Sequence, residues 1–200
     1  MRVTLYGRAN SVNVQKALWL LDELGAHYEL MNAGGPYGFP EGFEKISPRG
    51  LIPAVMVDGV AACESNTILR LLARRSGATA LYPDQPGRRE DVEAWMDWQL
   101  MALGLPMRRI FRKTVRGDGA YSEADLQELN AAMGDVAAAL EGGGNLTGAA
   151  LTLADIAVAP FAHRWLELPI EKPELPALGA WRERLRERPG FARHVDQPMS

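Results

Sequence analysis

The sequence predicts an α/β N-terminal domain followed by an all-α C-terminal helical domain, and three patterns support this prediction. Strand and helix signals alternate along the N-terminal part of the chain. Within that part, Asp58-Gly59 between two short apolar runs is a strong hairpin signal. Beyond a segment rich in Pro and Gly, only helical periodicities appear. We therefore predict one domain over 1–78, a linker over 79–88 and a helical domain over 89–200.

The N-terminal elements begin with a strand, predicted over Val3–Tyr6. Apolar residues then recur at helical spacing from Val14 to Leu24, and Gly25 is a suitable residue to end that helix. A second strand is predicted over Tyr28–Met31, followed by a loop over 32–47 with one short helix. This order is βαβ.

A proline loop leads into the third strand, predicted over Ala54–Val57. Proline has no amide hydrogen, so Pro53 fits only the first position or the edge of a strand. A cis bond before Pro53 would turn the backbone N–H and C=O of Ile52 toward a ligand. The loop therefore predicts a backbone binding site for a peptide-like molecule.

The hairpin turn delivers two polar residues, Glu64 and Ser65, to the start of a helix. They follow a fourth strand predicted over Val60–Cys63. We expect Ser65 to be the N-cap, where its hydroxyl and the nearby N–H groups can bind a carboxylate. Glu64 can pair with an ammonium beside it. Together with the loop before Pro53, these residues predict a site for a zwitterionic, peptide-like ligand.

Two capping boxes mark helix starts in the C-terminal half. An earlier helix is predicted through Val92–Leu100, without such a box. Ser122 with Asp125 opens a helix with a regular apolar stripe, and Thr152 with Asp155 opens another.

The end of the C-terminal half carries two proline signals. Pro160 falls inside the helix that follows Thr152, so a kink is expected there. A last helix through Leu178–Leu185 is expected to stop at Pro189-Gly190.

Composition limits the function classes. The chain has 200 residues, a formal net charge of −3 and one cysteine, which gives no general reason to expect nucleic acid and excludes an internal disulfide. Neither a metal-ligand cluster nor a signal-peptide core is recognisable, and no apolar run approaches the roughly 18 residues of a membrane span. We expect a cytoplasmic protein with no metal, no nucleic-acid partner and no membrane partner. A serine hydrolase is disfavoured, because the chain has no G-x-S-x-G motif.

With this ordered set of motifs, the sequence resembles the glutathione S-transferases along essentially its whole length. The Pro53 loop and the Glu64-Ser65 pair match the glutathione site of that family, and Leu151–Asp155 matches the capping segment of its buried C-terminal helix. The resemblance implies a thioredoxin-like N-terminal domain and glutathione as co-substrate. It also implies a small electrophilic second substrate and a homodimer.

The resemblance places the catalytic position at the start of the first helix. The theta and zeta classes carry Ser there, and Ser11 falls at that position. Asn13 follows at the spacing of a bacterial subgroup that joins Thr or Ser to Asn, and Asn10 is a further candidate for orienting the thiol. A hydrogen bond from Ser11, aided by the helix N-terminus, would lower the pKa of the glutathione thiol by about one to two units. The alternative is that Ser11 serves only as an N-cap.

The sequence departs from the family pattern at Leu51, where many relatives have a basic residue. We therefore expect Lys45 or Arg49 to contact the glycine carboxylate of glutathione. For the electrophile pocket the candidates are Phe111 and Arg108. The basic run around Arg108, which extends to Arg116, is expected to form a solvated helix face at the border of the site.

Two other functions remain open from the sequence. One is a disulfide reductase or peroxidase that uses glutathione, which Asn13 keeps in consideration. The other is a non-catalytic binding protein that retains the fold of the family.

Overall fold

The computed structural model describes residues 1–199, in which the N-terminal part forms a mixed four-stranded sheet. The strands are β1 (Val3–Tyr6), β2 (Tyr28–Met31), β3 (Ala54–Val57) and β4 (Val60–Cys63), in the spatial order β2-β1-β3-β4. β1 is parallel to β2 and antiparallel to β3, which pairs with β4 as a hairpin. Asp58 and Gly59 both have positive φ in the turn, as predicted. All four predicted strands are confirmed.

Two α-helices pack against this sheet, α1 (Val12–Glu23) and α2 (Ser65–Arg75). Gly25 has a φ of +58° and the backbone bonds back to Asp22 and Leu21, so it ends the turn after α1 as expected. The loop over 32–47 contains two short 3-10 helices where one short helix was predicted, at Gly35–Tyr37 and Phe43–Lys45.

The C-terminal part is entirely helical. Its helices are α3 (Arg88–Ala102), α4 (Gly104–Thr114), α5 (Glu123–Ala139), α6 (Leu153–Glu167), α7 (Pro176–Arg186) and α8 (Pro189–His194). None of the helices formed by the described residues combines the length and apolar character that a membrane span requires. The α/β-plus-helical fold class is therefore confirmed.

Helix α6 lies in the centre of the helical domain and is buried along most of its length. The carboxylate of Asp155 accepts hydrogen bonds from the amide of Thr152 at 2.8 Å and from that of Leu146 at 2.9 Å, which anchors the start of the helix. Burial raises the pKa of this carboxyl to about 6. Pro160 does not end α6, which continues to Glu167.

The prediction that Pro189-Gly190 stops the last helix is wrong. Helix α7 already ends at Arg186, and Pro189 is the first residue of α8. Proline is favoured at a first helical position, because the amide there has no helical partner to lose. The sequence signal is thus a helix start.

Helix α8 packs on α1. The guanidinium of Arg188 donates to both carboxylate oxygens of Glu23, at 2.8 and 2.5 Å. A Cβ added at Gly190 would lie 2.8 Å from Cδ1 of Trp19, so only glycine permits this close approach. The helix that begins at the candidate catalytic serine is therefore held by α8 as well as by the sheet.

Candidate functional site

A cavity of about 420 Å³ lies between the N-terminal domain and the helical domain. The loops after β1 and β2, the loop before Pro53 and the start of α1 form one wall, and helices α3, α4 and α6 form the other. Six of the sequence-predicted residues line it: Asn10, Ser11, Asn13, Ile52, Arg108 and Phe111.

Ser11 stands at the N-cap position of α1 with extended backbone angles (φ −81°, ψ 124°), yet its side chain makes no capping hydrogen bond. Its carbonyl accepts the first helical bond, from Gln15 at 2.8 Å. Ser11 therefore lines the cavity, and its hydroxyl makes no hydrogen bond that caps the helix. Because the N-terminal end of a helix carries partial positive charge, an anion near this hydroxyl would be stabilised by both.

The peptide bond between Ile52 and Pro53 is cis. Neither the amide nor the carbonyl of Ile52 has a hydrogen-bond partner within the described residues. Ile52 lines the cavity, and the loop is held by the hydroxyl of Ser47, which donates to the carbonyl of Leu51 at 2.8 Å. A donor and an acceptor are thus available to a ligand's own peptide group.

Glu64 and Ser65 form the start of α2, but their roles at the helix end differ from the prediction. Ser65 was expected to be the N-cap; instead Glu64 occupies that position and Ser65 is the first helical residue. Glu64 has a φ of +69°, which is uncommon for a residue with a side chain. Its carboxylate accepts a hydrogen bond from Arg49 at 2.6 Å, and both side chains are largely exposed.

A buried lysine lies behind these residues. The ammonium of Lys16, which has no solvent exposure, faces the side-chain oxygens of Gln99 at 2.6 Å, Asn66 at 3.3 Å and Ser65 at 3.4 Å. The Ser65 hydroxyl in turn donates to Oδ1 of Asn13 at 3.2 Å. Burial lowers the pKa of Lys16 to about 7. This network connects α1, α2 and α3 next to the cavity.

The remaining predicted residues lie outside the cavity lining, namely Pro53, Glu64, Ser65, Arg49 and Lys45. Lys45 ends the second 3-10 helix with an exposed side chain. Arg49 is engaged with Glu64. The roles of these five residues toward glutathione stay predictions.

The basic run on α4 divides into two groups. Arg109 forms ion pairs with Asp125 at 3.0 Å and with Glu128 at 2.7 Å, away from the cavity. Arg108 and Arg112, together with Arg116 just beyond α4, line the cavity. All four of these arginines are exposed, which agrees with the predicted solvated face, and three of the four also line the cavity.

Among the charged residues that line the cavity, sequence reasoning missed Arg8 and Arg164. Arg8 lies in the loop after β1 and carries no recognisable local signal. Arg164 could have been noticed, because an arginine within the apolar stretch of α6 is unusual for a buried helix. Residues 1–199 hold no group of three or more His, Cys, Asp or Glu side chains placed to bind a metal ion.

Comparison with known proteins places this geometry in a family. The model of the glutathione S-transferase N-terminal domain matches residues 5–80, and that of the C-terminal domain matches residues 119–196. Glutathione S-transferase GstB of Escherichia coli strain K12 is 34% identical over 99% of this chain and 100% of its own. Disulfide-bond oxidoreductase YfcG of the same strain is 29% identical over 90% of this chain and 89% of its own.

Structural comparison agrees. The theta class glutathione S-transferase from Xanthomonas axonopodis pv. citri, solved with glutathione bound, has a TM-score of 0.93 and 35% identity, with 99% of each chain covered. The resemblance seen in the sequence is confirmed. With both domain models matched and a relative aligned over nearly its whole length, this chain belongs to the glutathione S-transferase family.

Proposed function

We propose that this protein is a glutathione transferase in which Ser11 stabilises the thiolate of bound glutathione for attack on a small electrophile. The observation that carries the proposal is the hydroxyl of Ser11, which lines the cavity at the start of α1 and makes no bond to the helix. A thiol needs such help, because at pH 7 only a few per cent of an unperturbed thiol is ionised.

Glutathione would bind along the N-terminal wall. The free N–H and C=O of Ile52 can pair with the backbone of its cysteine residue, which places the sulfur near Ser11. The backbone N–H of Ser65, at the first turn of α2, can donate to the γ-glutamyl carboxylate, and Glu64 can accept from the adjacent ammonium. Arg49 already holds the Glu64 carboxylate at 2.6 Å and is the nearby cation.

The chemistry requires no acyl intermediate. The thiol loses its proton to solvent, and the hydroxyl of Ser11 donates a hydrogen bond to the resulting thiolate. The sulfur then attacks the electrophilic carbon, so that a C–S bond forms and the leaving group departs with its electron pair. A hydrogen bond to a charged acceptor contributes about 1.5–3 kcal/mol, which corresponds to about one to two pKa units.

Replacement of Ser11 tests this role. We expect Ser11→Ala to raise the pKa of bound glutathione by about one to two units, while the affinity for glutathione changes little. The thiolate absorbs in the ultraviolet, so the pKa can be titrated directly on the complex. Ser76→Ala, at the exposed end of α2, is the matched control. An unchanged pKa in Ser11→Ala would contradict the proposal.

A second function, disulfide reduction with bound glutathione, is favoured by Asn13. Its Oδ1 accepts from Ser65, which leaves the amide NH₂ as a donor beside the cavity. Disulfide-bond oxidoreductase YfcG is among the relatives. If Asn13→Ala abolishes activity toward a mixed disulfide while Ser11→Ala retains it, the amide activates the sulfur and this function is preferred.

We also propose that the protein is a homodimer, as the family resemblance implies. The N-terminal domain of one subunit would face the helical domain of the other. Sedimentation at micromolar concentration is expected to give about twice the 21.9 kDa of one chain. A species of 21.9 kDa would contradict the dimer.

A further inference from the structure

Among the residues that the structure describes, five arginines line the cavity and no carboxylate does. They come from both walls: Arg8, Arg108, Arg112, Arg116 and Arg164. The chain as a whole carries a formal charge of −3. The cavity is therefore lined by positive charge in a protein whose net charge is negative.

Arg164 is the most buried of the five, with an exposed fraction of 8%. One of its nitrogens, Nη2, donates to the carbonyl of Asn10 at 2.6 Å, and its guanidinium lies 4.6 Å from the ring centroid of Phe111. No carboxylate among the described residues lies within ion-pairing distance of it. A guanidinium has five N–H donors, so most of its hydrogen-bonding capacity is available on the cavity side.

Two further arginines surround the same position. The Nε of Arg8 is buried without a hydrogen-bond partner. The guanidinium of Arg116 lies 5.9 Å from the centroid of the same Phe111 ring that Arg164 contacts. Burial, then the charges of Arg116 and Arg8, lower the pKa of Arg164 to about 10, so it stays protonated near neutral pH.

Arg109, which does not line the cavity, differs in its ion pairs from the arginines that do. Arg109 has two carboxylate partners and does not line the cavity. Of the five that do, only Arg112 has a carboxylate partner within residues 1–199, Asp118 at 2.8 Å. Three of the five are exposed at the border of the cavity, namely Arg108, Arg112 and Arg116. Arg164 is withdrawn from water with no carboxylate counter-ion among the described residues, which is unfavourable, and a bound anion would relieve this.

We propose that the second substrate of this protein is an electrophile that carries a carboxylate, held by Arg164 and Arg8 with its apolar part against Phe111. This inference rests on the transferase function proposed above and names the class of its second substrate. Arginine suits the role, because its planar fork binds a carboxylate through two parallel hydrogen bonds. The competing occupant is a carboxylate of glutathione itself.

A matched pair of aryl chlorides tests the proposal: 4-chloro-3,5-dinitrobenzoate and its methyl ester. In both, the glutathione sulfur attacks the carbon that bears chlorine, the C–S bond forms, and chloride leaves with the electron pair of the C–Cl bond. The carboxylate or ester is unchanged, so charge is the main difference. Each kcat/KM is divided by the rate constant without enzyme to remove intrinsic reactivity.

We expect the corrected kcat/KM to be about ten- to a hundred-fold higher for the carboxylate than for the ester. Arg164→Met and Arg8→Met should each remove most of this preference, and Arg164→Lys should restore part of it. The KM for glutathione should stay unchanged in these variants. Arg109→Met, whose guanidinium faces away from the cavity, is the control that should keep the preference.

Two results would overturn the proposal. One is an equal or better corrected rate for the ester in the unmodified protein. The other is a higher KM for glutathione with both chlorides in Arg8→Met and Arg164→Met, which would assign these arginines to glutathione. Calorimetric titration with 3,5-dinitrobenzoate and with its methyl ester, neither of which can react, measures the preference for a carboxylate independently of turnover. If neither chloride turns over, the transferase function fails, yet tighter binding of the benzoate would still support the anion site and equal binding would refute it.

Discussion

The two walls of the cavity use different chemical groups. On the N-terminal wall the cavity-lining groups proposed to recognise glutathione are neutral, namely a hydroxyl, an amide and the free peptide groups of Ile52, while the carboxylate of Glu64 lies outside the lining. On the helical wall the polar groups are mostly guanidiniums, set around the ring of Phe111. A peptide of constant structure can be recognised by fixed neutral donors and acceptors. A charged wall instead selects among second substrates by their charge.

The N-terminal domain also contains a cation that is enclosed behind the cavity. Lys16 lies behind Ser65 and Asn66 and contacts only neutral acceptors and the ring of Phe161. Arg164, in contrast, has one protein acceptor and lines the cavity. Buried charge thus has two uses here: Lys16 organises the protein's own polar groups, and Arg164 is available to a ligand.

The largest effect is expected at Glu64, which belongs to the glutathione side alone. Glu64→Ala leaves the ligand ammonium unpaired, so the affinity for glutathione should fall about ten- to a hundred-fold. The preference between charged and neutral electrophiles should not change. Calorimetric titration measures the affinity, with the exposed Glu41→Ala as control. A shift in electrophile preference would mean that the two walls are not independent.

The backbone at Glu64 predicts a second effect, on stability. A side chain at a φ of +69° is strained, and glycine is not. We expect Glu64→Gly to be more stable than Glu64→Ala by about 1–2 kcal/mol, measured by urea unfolding, because both lose the carboxylate but only alanine keeps the strain. Glutathione affinity should be low in both variants. Equal stability would show that the positive φ has no cost here.

A further effect is expected in the pH dependence of stability, to which Lys16 contributes. Its pKa is about 7 in the folded protein and 10.5 in the reference state. Between these values the unfolded chain binds the extra proton, so the free energy of unfolding should rise with pH by up to about 1.4 kcal/mol per unit. The contacts of Lys16 do not titrate in this range.

Lys16→Met should lose this rise, and the exposed Lys45→Met should keep it. Urea unfolding at several pH values between 7 and 10 provides the comparison. If both variants retain the pH dependence of the unfolding free energy seen in the unmodified protein, Lys16 has the same protonation in the folded and unfolded states, and the prediction is wrong.

The N-terminal wall is predictable from the sequence to a much greater extent than the helical wall. The strands, the Asp58-Gly59 turn and the loop before Pro53 depend on residues adjacent in the chain, and such local patterns determine backbone geometry. Even there the cap of α2 was misassigned, because nothing local shows that Glu64 rather than Ser65 takes the position with positive φ.

The set of arginines in the cavity depends on contacts between distant parts of the chain. Arg8 follows the first strand and Arg164 lies in α6, and no periodicity relates them. The basic run on α4 was visible, yet its division between cavity and surface depends on the side of the helix that meets Asp125 of α5. A sequence pattern does not contain that packing. Lys16 was missed for the same reason, since its acceptors come from α2 and α3.

The contact between α8 and α1 can form only late in the synthesis of the chain. Glu23 and Arg188 are 165 positions apart, and at about 5–20 residues per second a ribosome needs roughly ten to thirty seconds to add that many residues. During this interval the strands β2, β3 and β4 are added after α1, and until α8 follows, α1 lacks the outer cover that packs on Trp19. Limited proteolysis of chains stalled before and after residue 194 would report the change. The packing around the helix that begins at Ser11 is therefore completed late in translation, well after the residues of that helix have been added to the chain.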